Sequence, residues 1–317
     1  MNSTETTHET DADGRRAGVW RSFLVPRRND NALGIALIAP AALVFAIVIL
    51  GPMLWGVSLA FQRVQEITLN TRFNGIRNFQ TILEAPTFLN ALITNFKFAF
   101  GSLIIETVLG VLVALLLNQQ FYGRAAARSL AIFPYLLPVV VAAAVWRWMF
   151  NDTYGIVNQI LIDIGLLEHR IAWISDPNYA LAGVIVVNAW RCFPFIVIAS
   201  LGRLQNIPRQ LYEAARIDGA SQWSMFWDIT LPQLRSVLIV SIFLRFIWDF
   251  NDFNTIALMT GGGPAGRTQT IPIMIYQLAF GQMQLGVAAA VADLGLAALA
   301  IFFVIYFWLA KPLGKNA

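Results

Sequence analysis

Six long apolar runs separated by short polar segments organise this chain, near Ala32–Ala60, Ala91–Leu117, Ser129–Phe150, Ala180–Leu201, Val237–Met259 and Leu285–Ala310. A helix needs about 20 mostly apolar residues to cross a bilayer, and each run is long enough. Six in series predict an all-α integral membrane protein with six transmembrane helices rather than one soluble core. Gln62–Asn90, Asn151–Tyr179 and Gly261–Gln284 are the loops on one side, and Gln119–Arg128 is a short turn on the other. Within the second loop, Ile156–Leu167 is patterned as an amphipathic surface helix. The expected organisation is a disordered polar tail over 1–31, a first transmembrane helix and loop over 32–90, and a five-helix core over 91–313.

The polar stretch between the fourth and fifth runs has its own pattern. Pro208 is placed where a helix start tolerates a residue with no N–H. Leu211, Tyr212, Ala214, Ala215 and Ile217 suit a short helix, and Gly219 suits a left-handed stop. Ser221 then caps a second helix carrying Met225, Phe226 and Ile229 on one side. The segment is too amphipathic to span a membrane, so it predicts a helix–turn–helix exposed at a membrane face.

Glu213-Ala214-Ala215, Asp218-Gly219-Ala220, Phe226, Ile229 and Pro232 resemble the coupling-loop signature of ABC importer permeases. That signature often continues with a further proline, where this chain has Ser236. Thr260-Gly261-Gly262-Gly263-Pro264 resembles the segment after the fifth core helix in the maltose-type, carbohydrate-importing branch. The resemblance runs from Asn90 to Leu313. It implies a permease subunit of the bacterial cytoplasmic (inner) membrane, partnered by a second permease, two cytoplasmic ATPases and an extracytoplasmic sugar-binding protein. ATP and magnesium would belong to the ATPases, with no cofactor in this chain. The resemblance assigns ATPase coupling to the 208–232 loop. Glu213 and Asp218 would face donor groups of the ATPase, and Tyr212, Trp223, Met225 and Phe226 would form the apolar anchor.

Charge placement bears on orientation. With the N-terminus inside, the inner segments hold Arg15, Arg16, Arg21, Arg27 and Arg28, then Arg124, Arg128, Arg203, Arg209, Arg216, Arg235, Lys311 and Lys315. The outer segments hold only Arg63, Arg72, Arg77, Arg170 and Arg267. That asymmetry predicts both termini and the 208–232 loop in the cytoplasm. The net charge of +4 is then accounted for by loops facing anionic membrane lipid, with no nucleic acid needed. The first apolar run is long and lacks a clear cleavage site, so it reads as a retained span.

Other chemistry is excluded by what is missing. The chain contains no G-x-x-x-x-G-K-[ST] phosphate loop and no G-x-S-x-G elbow, so it is not expected to hydrolyse ATP or act as a serine hydrolase. One cysteine, Cys192, and two histidines, His8 and His169, leave no cysteine or histidine metal cluster. This is not an enzyme by its residues.

Charges inside the spans are costly and mark function by default. They are Lys97, Glu106, Arg147, Arg191, Arg245, Asp249, Asp252 and Asp293. Arg245, Trp248, Asp249 and Asp252 recur at helical spacing, and Asn251 and Asn254 widen that polar surface. An aromatic ring beside carboxylates and amides suits a sugar, whose apolar face stacks while its hydroxyls hydrogen-bond. These residues, with Asn188 and Arg191 of the fourth span, are the substrate-pathway candidates. The structural alternative is that Arg245 and Asp249 pair within one helix. Arg191 pairs with Glu106 or meets an anionic group on the substrate, while Lys97 and Arg147 snorkel. Pro134, Pro138 and Pro194 each remove a backbone hydrogen bond and kink a span, and Gly261–Pro264 ends the fifth span. Beside the sugar permease stand a permease for phosphate, peptide or osmolyte, a gradient-driven transporter, and a membrane enzyme for lipid-linked substrates.

Overall fold

The computed structural model describes residues 30–64 and 70–310, so the expected tail, apart from its last two residues, lies outside the described residues. The chain divides into two units, Met1–Gly56 and Val57–Ala317. α1 (Asp30–Phe45) passes through one π turn, Ala46–Leu50, into α2 (Gly51–Leu59), whose last three residues belong to the second unit. Leu37–Leu59 is thereby a helix long and apolar enough to cross a membrane. Its side chains from Leu37 to Trp55 are exposed.

The second unit continues with a feature the apolar pattern did not announce. β1 (Gln62–Val64) and β2 (Thr71–Phe73) pair antiparallel, with Arg63 opposite Arg72. α3 (Arg77–Glu84) follows, and Asn78 fastens it by donating to the carbonyls of Ala60 at 2.8 Å and Gln62 at 2.9 Å. α4 (Pro86–Asn118) begins with proline in its first turn, where no N–H is lost. Its 33 residues make a rod about 50 Å long, at 1.5 Å per residue.

α4 packs along α8 (Ala180–Leu204). The reason lies in two glycines. A Cβ on Gly110 would sit 2.5 Å from Ile196 Cβ, and one on Gly101 would sit 2.8 Å from Ile185 Cδ1. Small residues are what lets two membrane helices approach this closely, where hydrophobic exclusion provides no drive. Ala114, Leu117, Ile196, Val197, Leu234 and Leu238 then form a buried cluster joining α4 and α8 to α11 (Leu231–Phe250).

Three spans or loops differ from their expected form. The third run is not one kinked helix. α5 (Arg124–Leu136) and α6 (Val139–Met149) meet at 97°. Leu137 is extended (φ −73°, ψ 134°) because the ring of Pro138 excludes the helical region for the residue before it. Pro134 and Pro194, by contrast, lie inside helices that continue past them. The fifth run ends at Phe250, and α12 (Asn254–Met259) is a separate short helix after a break. Finally, the Gly261–Gln284 loop contains α13 (Ile271–Tyr276), extended by a π turn, Gln277–Gly281. Its Ile271, Met274, Leu278 and Ala279 are core residues, packed against Ala288 and Val291 of α14 (Leu285–Ala310). Among the described residues there are five helices able to span a membrane, or six when the bent α5–α6 pair counts as one.

The remaining elements are short. α7 (Ile156–Asp163) realises the amphipathic surface helix, stopping four residues before its expected end. Its buried Asn158 accepts from Trp173 Nε1 at 2.9 Å and from Ile171 N at 3.1 Å. α9 (Arg209–Ile217) and α10 (Gln222–Met225) form the polar interruption. α10 runs through the π turn Phe226–Thr230 into α11, so Gln222–Phe250 is one rod of 29 residues.

The α4–α8 contact predicts opposite outcomes for two glycines. Gly110→Ala drives a methyl into Ile196 and is expected to destabilise by about 1–3 kcal/mol. Gly202→Ala, with nothing within 4 Å, is expected to be neutral or to gain up to about 1 kcal/mol of helix propensity. Thermal midpoints of the two purified variants in detergent check the pair.

Candidate functional site

Three helices meet at one buried cluster, to which two of them bring charge and the third an amide. Arg245 of α11 donates from Nε to Glu106 Oε2 of α4 at 2.7 Å and from Nη2 to Glu106 Oε1 at 2.9 Å. The same Nη2 also meets Asp249 Oδ1, one helical turn on. Asn188 of α8 donates to Asp249 Oδ1 at 2.8 Å and to Glu106 Oε1 at 3.4 Å. All four side chains are almost wholly buried. An isolated ion in such a place costs several kcal/mol, and the two-pronged guanidinium offsets this only because both carboxylates accept from it. Of the two partners open to Arg191, Glu106 or an anionic group on the substrate, Glu106 is taken by Arg245 instead. Arg245 takes Glu106 because its planar fork reaches both carboxyl oxygens.

Arg191 is placed one layer out. Its Nη2 lies 3.4 Å from Asn188 Oδ1 and 3.7 Å from Asp252 Oδ2. Its Nε is buried and has no hydrogen-bond partner among the described residues, and the same holds for Asp249 Oδ2. Asp252 is not on the helical face with Asp249, because α11 has already ended. It begins the next turn instead, accepting from Thr255 N at 3.1 Å and Thr255 Oγ1 at 2.5 Å.

These residues border a cavity of about 620 Å³ lined by Tyr135, Arg191, Cys192, Arg245, Trp248, Asp249, Asn251, Asp252, Phe253 and Asn254. Of the substrate-pathway candidates, Asn188 alone is absent from the lining, and it works from behind by holding Asp249. Trp248 keeps an exposed indole, with Arg245 at 5.7 Å from its ring centroid and Phe195 edge-on at 5.1 Å. Tyr135 and Phe253 were not foreseen. Tyr135 comes from the turn before the α5–α6 break, and no local pattern in the sequence reports that break's direction. The arrangement offers one aromatic face, two amides, hydroxyl-accepting carboxylates and guanidinium donors within one space, which is the chemistry of a polyhydroxylated ligand.

After α12, the Gly261–Pro264 turn is held in place. Gly262 has φ +93° and is buried, and a Cβ there would lie 2.8 Å from Ile273 Cγ2. Only glycine meets both conditions. Thr268 Oγ1 donates to Gly263 O at 2.6 Å, and Asn95 of α4 bridges Phe250 O and Ile271 N. The turn is thus folded and anchored to the core.

At the opposite end, the helix–turn–helix follows its residue types. Gly219 has φ +79° and its N–H bonds to Arg216 O, while Ala220 N bonds to Ala215 O at 2.9 Å. Ser221 Oγ accepts from Ser224 N at 3.1 Å. The apolar residues divide differently from the expected anchor. Met225 is buried, and Tyr212 and Phe226 are half-buried. Tyr212 OH bonds Thr230 Oγ1 at 2.9 Å and so fastens α9 to the start of α11. The most outward apolar groups are Ile217, 87% exposed, and Trp223, 71% exposed, with Leu211 and Trp227 less so. Glu213, Ala214, Asp218 and Gly219 are exposed beside them, Ala215 and Ala220 are partly covered, and Pro232 lies in the first turn of α11.

A membrane helix bundle with a central polar cavity and an exposed amphipathic helix pair at one end defines a transport protein rather than a membrane receptor stalk or anchor. The chain belongs to the binding-protein-dependent transport system inner membrane components, whose family model matches residues 106–314. Members of that family are transporter permease subunits. The chain is similar to the trehalose/maltose transport system permease protein MalF of Thermococcus litoralis, at 33% identity over 87% of this chain and 93% of that one. It is equally similar to the inner membrane ABC transporter permease protein YcjO of Escherichia coli, 33% identical over 88% and 92% of the two chains. Its fold matches a chain of a bacterial ABC transporter involved in import of the acidic polysaccharide alginate, with a TM-score of 0.76 and 23% identity over 94% of this chain and 100% of that one.

The buried cluster predicts a large asymmetry. Arg245→Met strands Glu106 and Asp249 as uncompensated buried anions and is expected to cost about 3–5 kcal/mol. Adding Glu106→Gln and Asp249→Asn to Arg245→Met is expected to recover most of that loss. Thermal unfolding of the single and triple variants checks it, and a single variant as stable as the parent would contradict the pairing.

Proposed function

We propose that this chain is the permease subunit of an ATP-driven, binding-protein-dependent importer for a neutral or substituted sugar. The observation that carries the sugar reading is the cavity in which an exposed indole, Trp248, stands beside Asn251, Asp252 and Asn254. Relatives named for trehalose and maltose transport support the same substrate class. In this reading the second permease completes the path, and the binding protein delivers sugar to the side bearing the Gly261–Pro264 turn. The termini and the α9–α10 pair face the cytoplasm, where two ATPases bind ATP with magnesium.

The coupling route follows from the helix layout. Glu213 and Asp218 offer acceptors to the ATPase, and Ile217 and Trp223 offer the apolar contact. Tyr212 ties α9 to Thr230, and Arg203 of α8 donates to Gln233 O at 2.9 Å and to Gln233 Oε1 at 2.5 Å. A push on this pair is thus a push on the rod Gln222–Phe250, about 43 Å long at 1.5 Å per residue. The far end of that rod carries Arg245, Trp248 and Asp249. ATPase closure is thereby transmitted to the ligand cavity without a flexible link in between.

ATPase activity of the purified assembly in lipid, with and without its binding protein and across a panel of sugars, tests the reading. Stimulation by one sugar together with the binding protein is expected. Stimulation only by phosphate, a peptide or an osmolyte would keep the importer and overturn the sugar. Gly219→Val, which forces a β-branched residue to φ +79°, is expected to leave ATP hydrolysis and abolish its stimulation of uptake. Trp248→Ala is expected to lower uptake about tenfold, the equivalent of roughly 1.4 kcal/mol of stacking, with an unchanged thermal midpoint. Uptake assays in vesicles read both.

A further inference from the structure

At the end of the bundle that carries α9, a second cavity of about 480 Å³ is lined by Asn118, Gln120, Arg124, Arg128, Gln205, Arg209 and Tyr212, with Leu204 and Ile207. Three arginines face it and no carboxylate does. Among the described residues none of the three forms an ion pair. Arg124 Nε donates to Leu117 O at 2.7 Å and Arg128 Nη2 to the same carbonyl at 3.5 Å, which satisfies the last turn of α4. No other hydrogen bond of Arg124 or Arg128 is seen among the described residues, and Arg128 Nε is buried with no partner among them. Guanidinium groups lining one cavity repel one another, and an anion between them relieves that repulsion.

We propose that this cavity binds the phosphate of an anionic membrane lipid. Guanidinium forks match phosphate oxygens two at a time, and basic pockets between membrane helices are suited to lipid head groups. The level is right, because the cavity lies where the spans α4 and α8 end and α5 begins. The connecting turn exposes two aromatic residues, Phe121 and Tyr122, the residue type favoured at the membrane interface. From there the outward side of α5 is apolar, with Leu130, Phe133 and Leu136 exposed, which gives the acyl chains a surface leading away from the arginines. A lipid held here touches Tyr212 and Arg209, at the root of α9, and so stiffens the joint between the helix–turn–helix and the bundle.

The experiment is native mass spectrometry of the full chain, purified with its accompanying subunits from vesicles of phosphatidylcholine with and without phosphatidylglycerol. The parent protein is expected to retain phosphatidylglycerol in preference to phosphatidylcholine. Arg124→Gln with Arg128→Gln is expected to lose that preference, by roughly fivefold per arginine, while Arg216→Gln on the exposed outer face keeps it. If the double variant does not fold, Arg209→Gln, at an exposed position, carries the test with a fivefold loss expected. No lipid preference in the parent, or one untouched by these substitutions, overturns the proposal. Displacement of the lipid by inorganic phosphate at comparable affinity would assign the site to free phosphate instead. Loss of the ATPase subunits with retention of the lipid would assign the arginines to a protein contact.

Discussion

The structure depends on one constraint: a guanidinium buried among membrane helices must be paired on every side that hydrocarbon would otherwise touch. Arg245 meets that demand with Glu106 from α4 and Asp249 from its own helix, and Asn188 from α8 donates to both of those carboxylates. Each partner fixes a different helix, so the pairing defines how α4, α8 and α11 are rotated about their axes. The glycines at 101 and 110 set how close α4 and α8 come, and the cluster sets which faces meet. Lipid supplies no hydrophobic drive between helices, so close packing and polar pairing specify the bundle together.

The same cluster shapes the cavity. One oxygen of Asp249 is spent on Arg245 and Asn188, and the other is left without a partner beside the cavity. Arg191 is likewise half-engaged, held by Asn188 and Asp252 with its Nε unpartnered. The residues that hold the helices together therefore also border the cavity. The break after Phe250 adds to this by turning Asn251, Asp252 and Asn254 off the helix axis and around the space that Trp248 borders.

Much of this was legible in the sequence, and the reasons are local. Apolar length announces spans, and Gly219 and Ser221 announce their turn, because a left-handed stop and an N-cap depend on neighbours a few residues away. The importance of Glu106, Arg191, Arg245, Asp249 and Asp252 was readable from the cost of charge in hydrocarbon. Who pairs with whom was not. Glu106 and Arg245 are 139 residues apart, and no periodicity reaches across that distance. The apolar pattern also over-extended the fifth span through Met259 and left α13 unseen. A six-residue apolar helix and a loop look alike until packing against α14 decides between them.

The sequence by itself determined that this chain is a multi-span membrane protein, that a capped helix–turn–helix interrupts its apolar runs, and which polar side chains are out of place in a bilayer. Those properties follow from hydrophobic length, turn stereochemistry and ion solvation, each felt within a few residues. Only the tertiary structure decided that Pro138 turns its span by 97°, that Arg245 rather than Arg191 holds Glu106, and that Tyr135 completes the cavity. These depend on the relative rotation and approach of helices remote in sequence, which is fixed only when backbones pack closely enough for one guanidinium to reach two carboxylates at once.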